Sequence, residues 1–197
     1  CLQPGDLAAQ GAQAQPGALT MGVAAMPSAA VLAVCTGAAV PFARGSLSGV
    51  HKTPVQGRVR VTAQGLQGDA QGDLRLHGGV EKAVHHYPQE HYAAWRAELG
   101  AHALLEAPGA FGENLHSRGL TEATVCLGDR WRVGDVLLEV TQARQPCWKL
   151  NERFGVPDMA RRVQQSRRTG WYSRVVEDGE LWADAAMVLE ARPYPAW

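Results

Sequence analysis

The chain has 197 residues, 46% of them hydrophobic and 19% charged, enough to bury one core and too few for two domains of ordinary size. Nineteen basic residues balance nineteen acidic ones without a long run of either sign, so neither nucleic acid nor an anionic membrane is expected as a partner. No stretch approaches the ~20 apolar residues of a membrane-spanning helix. Four cysteines, at positions 1, 35, 126 and 147, have neither paired metal-ligand spacing nor the density of a disulfide scaffold, so a reducing cytoplasm is the expected compartment.

In chain order, Cys1 to Thr20 is Ala, Gln, Gly and Pro with little periodicity. Residues 1–25 are expected to be a disordered or non-native extension, with Met21 and Met26 as candidate starts ahead of one domain over 26–191. The apolar stretch Ala24 to Phe42 lacks the basic region of a signal sequence and contains Pro27 and Gly37, and Val31 to Cys35 within it reads as the first strand. Val59 and Val61 alternate with Arg58 and Arg60, the period of a half-buried strand. Pro88 is placed at the first position of a helix whose Tyr92, Trp95 and Leu99 share a face and which Gly100 stops. Val125 and Leu127, then Trp131 and Val133, then Val136, Leu138 and Val140 are separated by Gly-Asp turns and predict a three-strand meander. A second helix is expected from Pro157, carrying Met159 and Val163 inward, and Asp178-Gly179 reads as a two-residue hairpin between Trp171 to Val176 and Leu181-Trp182. This strand-rich order, without regular βαβ alternation, predicts a mixed, β-rich fold: a barrel of mainly antiparallel strands decorated by a few helices.

The chemistry concentrates in Arg144-Gln145-Pro146-Cys147-Trp148-Lys149-Leu150. Pro146 cannot extend a central strand ladder, so Cys147 is expected where the strand around Leu137 to Thr141 gives way to a loop. Arg144 and Lys149 flank it, and cations favour the thiolate, which is both the nucleophile and the soft-metal ligand. Cys126 and Cys35 have no flanking cation and read as small core fillers. Gly68-Asp69, Asp73 and His77-Gly78-Gly79 through Lys82 form a glycine-rich charged segment suited to close backbone approach to a ligand. Gly112-Glu113-Asn114-Leu115 offers an acid and an amide to a polar heterocycle. His85, His86 and His91 lack zinc-ligand spacing, and strand alternation lets only one of His85 and His86 face a pocket.

That ordered set, from about Val31 to Leu189, resembles the molybdenum-cofactor sulfurase C-terminal (MOSC) domain, most closely its bacterial 6-N-hydroxylaminopurine resistance proteins. The resemblance implies a MOSC-type β-barrel and a molybdenum cofactor (molybdopterin) with Cys147 as metal ligand. It further implies cofactor-binding roles for Lys52, Asp69, Asp73, His77, Lys82, His85, Asn114, Arg144 and Lys149. The implied activity is reduction of small N-hydroxylated compounds to the amine. No flavin, haem or iron-sulfur motif is present in the sequence, so an external electron-donor reductase is the expected partner, with a homodimer left open. Pyridoxal phosphate binding is associated with such domains only at the level of the domain. A sulfur or cofactor carrier using a Cys147 persulfide is the alternative, and a cysteine hydrolase is disfavoured by the absence of a Cys-His-Asn/Asp signature. In the resistance proteins a helical bundle follows the Arg-Pro-x-Pro-x-Trp point, so residues 192–197 are expected to begin a truncated C-terminal helical extension.

Overall fold

Val31, Val34 and Cys35 are fully buried in the first strand, β1 (Ala29–Thr36), because that strand has neighbours on both edges along much of its length. A computed structural model describes residues 29–72 and 78–195. The expectations for the first 25 residues, Asp73, His77 and Trp197 therefore lie outside the described residues. Six further barrel strands follow: β2 (Val84–Pro88), β3 (Leu115–Arg118), β4 (Arg130–Val133), β5 (Val136–Ala143), β6 (Trp171–Glu177) and β7 (Ala186–Ala191). Their order is β7-β4-β5-β6-β2-β3-β1, and the pairs Ala29 with Met187 and Ala30 with Ala186 close β1 onto β7. This closed seven-strand barrel, mostly antiparallel with few helices, is the predicted architecture, and closure removes the exposed edges that an open sheet would carry.

One pair is parallel, β2 with β3, and a parallel pair requires a crossover connection. Helix α1 (Glu90–Leu99) and the loop after it supply that crossover outside the barrel. Helices α2 (Lys149–Phe154) and α3 (Met159–Ser166) pack beside it. Two cores result. Val31, Val61, Val84, Trp131, Leu138 and Trp171 fill the barrel, while Tyr87, Tyr92, Trp95, Phe111, Leu150 and Met159 fill the space between barrel and helices. Period-two alternation in β2 divides its side chains between these cores: Val84 goes to the first and Tyr87 to the second.

Three local expectations are corrected. Val125 to Leu127 lies outside any strand and leads into a turn at Leu127-Gly128, because the buried Asp129 carboxylate accepts from the Cys126 N–H at 2.9 Å and is gripped by Arg192, which folds the backbone back on itself. Cys126 is accordingly half-buried beside that turn rather than a filler in the barrel. Asp178-Gly179 is no hairpin: Gly179–Leu181 leaves β6 and pairs with Val59–Thr62 in a separate small sheet whose Val59, Val61 and Leu181 pack into the barrel core. Pro88 ends β2, and α1 begins two residues later than expected; Tyr92 and Trp95 are buried on it as expected, and Gly100 caps it with φ 72°.

Candidate functional site

The cavity that collects the predicted residues lies outside the barrel, against the face of β2 that carries His85 and Tyr87. Besides His85 on β2 and Tyr172 on β6, its walls come from four chain segments brought together only in three dimensions. The first is Ser48 to Lys52 without His51, the second Asp69 to Gly72 with Lys82, the third Phe111 to Asn114 without Glu113, and the fourth Arg144 and Cys147 between β5 and α2 with Lys149 at the start of α2. Lys52, Asp69, Lys82, His85, Asn114, Arg144, Cys147 and Lys149 all line it. The path of the backbone depends on glycine at Gly109, where φ is 95° and a Cβ would stand 2.3 Å from the Lys52 carbonyl oxygen. Gly170 (φ 69°) similarly lies where a Cβ would meet the His86 carbonyl oxygen at 2.2 Å.

Several of these groups are committed to one another. Lys52 donates from Nζ to Asp69 Oδ2. Asp69 Oδ1 accepts from the Gly37 N–H at 3.0 Å, and Asn114 Nδ2 donates to Asp69 Oδ2 at 2.9 Å and to the Cys35 carbonyl at 3.2 Å. The Asn114 Oδ1 accepts from the His85 N–H at 3.0 Å. This network fixes one wall rather than leaving its members open to a ligand. Burial pulls the Lys52 amine below the usual lysine range, while Asp69 opposes that shift.

Glu113, read from the sequence as a ligand-holding acid, points the other way. It is fully buried, accepts from Tyr92 Oη at 2.6 Å and from the backbone N–H groups of Gly109 at 2.8 Å and Phe111 at 3.0 Å, and sits 3.4 Å from His116 Nδ1. Burial acts to raise its carboxyl, but the close His116 ring and the hydrogen bonds from Tyr92 and the backbone outweigh it and hold the group down at about 2. It is the anchor of the 109–113 loop.

The histidine pair splits as alternation requires. His86 turns into the barrel, stacks on Trp171 at 4.2 Å between ring centroids and hydrogen-bonds Ser117 Oγ. His85 lines the cavity, with Nδ1 3.2 Å from the Gly112 carbonyl oxygen. A carbonyl only accepts, so Nδ1 carries the proton; burial, aided by Arg144, pushes the ring pKa down to about 3, leaving Nε2 as a bare acceptor. That Nε2 has no partner among the described residues, and neither has the buried Nη1 of Arg144. Lys149, 9% exposed, donates to the Leu47 carbonyl at 2.7 Å and has donors to spare. Cys147 is half-buried in the loop between β5 and α2, whereas Cys35 is buried in β1, its thiol pushed up to about 12 by burial.

Sequence reasoning missed Tyr172, whose ring stands 5.0 Å from His85, although alternation from the buried Trp171 assigns it to the outer face. It also missed helix α2, whose six residues are too few for a periodic signal. Across the described wall four cations, Lys52, Lys82, Arg144 and Lys149, face one carboxylate, Asp69. The arrangement suits an anionic ligand beside a thiol. No helix among the described residues is long and apolar enough to cross a membrane.

Comparison with known proteins agrees with the fold. Residues 73–188 match the MOSC domain. The chain is 41% identical over 159 residues to protein YiiM of Escherichia coli (strain K12), covering 81% of this chain and 71% of that protein. It is also 41% identical over 151 residues to a protein of Gibberella moniliformis named reductase, covering 76% of this chain but only 27% of that one. The crystal structure of YiiM from Geobacillus stearothermophilus superposes with a TM-score of 0.70 at 34% identity, over 83% of this chain and 76% of the other. With the barrel, the crossover helix and the loop cysteine in that order, and with identity spread over most of its length, the chain belongs to the MOSC domain family.

Proposed function

We propose that this chain binds the molybdenum cofactor in the Cys147 cavity and, supplied with electrons by an external reductase, reduces small N-hydroxylated compounds such as 6-N-hydroxylaminopurine to the amine. The observation that carries the proposal is the buried guanidinium of Arg144, whose Nη1 has no partner among the described residues beside a half-buried thiol. A buried cation left unpaired costs several kcal/mol, and the phosphate of a pterin cofactor is a ligand that removes that cost through charge-assisted hydrogen bonds. The donor set fits the group. Cys147 provides a soft sulfur for molybdenum, Arg144, Lys149 and Lys82 provide positive charge, and His85 Nε2 accepts a hydrogen bond from an N–H or O–H of the pterin or substrate.

When bound, the cofactor supplies a two-electron centre, so that R–NHOH, two electrons and two protons give R–NH2 and water. The chain's own residues hold and orient. The Lys52, Asp69 and Asn114 network keeps β1, β2 and the 69–72 segment in register at the cavity. Gly112 keeps His85 in its Nδ1–H tautomer. Tyr172 and Phe111 give the polar cavity an apolar flank that limits water. The fungal relative named reductase supports redox chemistry on this domain.

The test is expression in a host that makes molybdopterin, followed by metal analysis and turnover of 6-N-hydroxylaminopurine with an artificial reductant. Stoichiometric molybdenum and conversion to adenine are expected. Molybdenum-free protein carrying a reductant-labile sulfur on Cys147 would replace this reading with the sulfur carrier.

A further inference from the structure

We infer that helix α2 is the brace of the cavity, with Arg44 and Arg153 acting through it as positioning residues for the Cys147 thiol. The inference rests on the reading of Cys147 as the working residue. Six residues cannot form a stable helix alone, so α2 holds its shape through what its side chains grip. Leu150 and Phe154 bury into the core beneath it. Its charged residues reach two separate cavity walls. Lys149 Nζ donates to the Leu47 carbonyl, and Glu152 accepts from Arg44 Nη2 at 2.8 Å, both on the 40–48 arm that runs into the Ser48 to Val50 wall. Arg153 donates from Nε to the Ala110 carbonyl at 2.7 Å and from Nη2 to the Gly109 carbonyl at 2.8 Å. That second wall carries Gly112, whose carbonyl fixes the His85 tautomer.

The arm also clasps the residue next to the thiol. The Arg44 guanidinium carbon stands 4.5 Å from the Trp148 ring centroid, and the Phe42 ring lies 6.1 Å from the same indole. Arg44 does this with φ 60° and ψ 30°, a left-handed backbone that a non-glycine residue adopts at a cost. An exposed arginine held in that conformation, stacked on Trp148 and paired to Glu152, is what links the arm to the start of α2. Cys147 is thereby fixed at the junction where Arg44 pulls from one side and Arg153 from the other. Loss of either contact frees the loop from Arg144 to Trp148 while leaving the barrel intact.

The experiment measures alkylation of Cys147 by iodoacetamide in the full chain made without molybdopterin, with peptide masses read for Cys147 and for Cys126 as internal reference. In Arg44→Met and Arg153→Met the ratio of Cys147 to Cys126 alkylation should rise roughly threefold or more as the thiol gains freedom and exposure, with Arg153→Lys restoring part of the difference. In molybdenum-loaded protein the same variants should lose about tenfold in kcat with KM little changed, the signature of misplacement rather than lost binding. Arg44 is exposed, so Arg44→Met keeps the test open even if Arg153→Met fails to fold. A ratio within about twofold of the original chain in folded Arg44→Met would overturn the inference. Because alkylation needs no metal, that failure is separate from failure of the proposed reductase, which would show as molybdenum-free, inactive protein with the alkylation difference intact.

Discussion

Lys52 and Asp69 form an ion pair whose side chains are 8% and 7% exposed, and the same Asp69 carboxylate also receives the Gly37 N–H and the Asn114 amide. Removing one partner leaves an uncompensated buried charge. Asp69→Ala and Lys52→Met should each lower unfolding free energy by about 3–5 kcal/mol, measured by urea denaturation. The double variant Lys52→Met with Asp69→Leu should lose clearly less than the sum, since no charge is then stranded. Additive losses would show that the two groups act independently.

Cys147→Ser should keep the fold and lose bound molybdenum or its reactivity, because a hydroxyl is nearly isosteric with the thiol but a much poorer soft ligand. Cys126→Ser, beside the turn held by Asp129, should change neither. Full metal occupancy and turnover in the Cys147 variant would remove the central claim of the proposed function.

Stability should fall with acid ahead of the usual carboxylate range. Burial lowers His85 and His86 from 6.5 to about 3, so the unfolded chain takes up protons that the folded chain refuses. The contribution is fully present above the unfolded value and is lost as pH falls from 6.5 toward 3. From pH 7.5 to pH 5 each histidine should cost about 2 kcal/mol of unfolding free energy. Denaturant titrations at those two pH values check this, and His86→Gln should remove one share of the slope. Glu113, held at about 2, adds a further loss below pH 4.5, where its unfolded form protonates.

Glu113→Gln should destabilise the chain by about 2 kcal/mol or more, since a neutral amide replaces one acceptor oxygen with a donor facing the donors of Tyr92, Gly109 and Phe111. Loss of the anchor should also release Gly112. The expected sign is a drop in thermal midpoint together with faster amide exchange across 109–114, and unchanged exchange there would contradict the anchoring role.

Much of the barrel was legible in the sequence because its signals are local. Apolar Val31 to Cys35, alternating Val59 and Val61, and the Gly134-Asp135 turn between Trp131 to Val133 and Val136 to Val140 depend on backbone chirality, pleat and turn chemistry within a few residues. The helix faces of Tyr92 with Trp95 and of Met159 with Val163 follow from the 3.6-residue period in the same way. The list of residues around the cavity came from ordered motifs, and those that are described lie on one cavity.

What each residue does there was decided by tertiary structure, because a side chain's partners are set by segments far away in sequence. Asp178-Gly179 has hairpin composition, yet Leu181 finds Val59 across more than a hundred residues, and no local rule encodes that choice. Glu113 and Asn114 are adjacent in sequence and point to opposite sides: one anchors its loop through Tyr92, and the other ties Asp69 to β1. Asp69 looked like a ligand-holding acid and pairs with Lys52, while Arg144, flanking the thiol in sequence, keeps a buried donor with no partner among the described residues. Short-range propensity and periodicity marked β1, β4, β5 and β6 and supplied the identity of the chemical groups, but gave no local sign of β3 or β7. The closed pairing of β1 with β7, and the commitment of Lys52, Asp69 and Glu113 to partners far away in sequence while Arg144 and His85 keep unpartnered buried atoms, were decided only by tertiary packing, because burial makes most polar atoms find a partner.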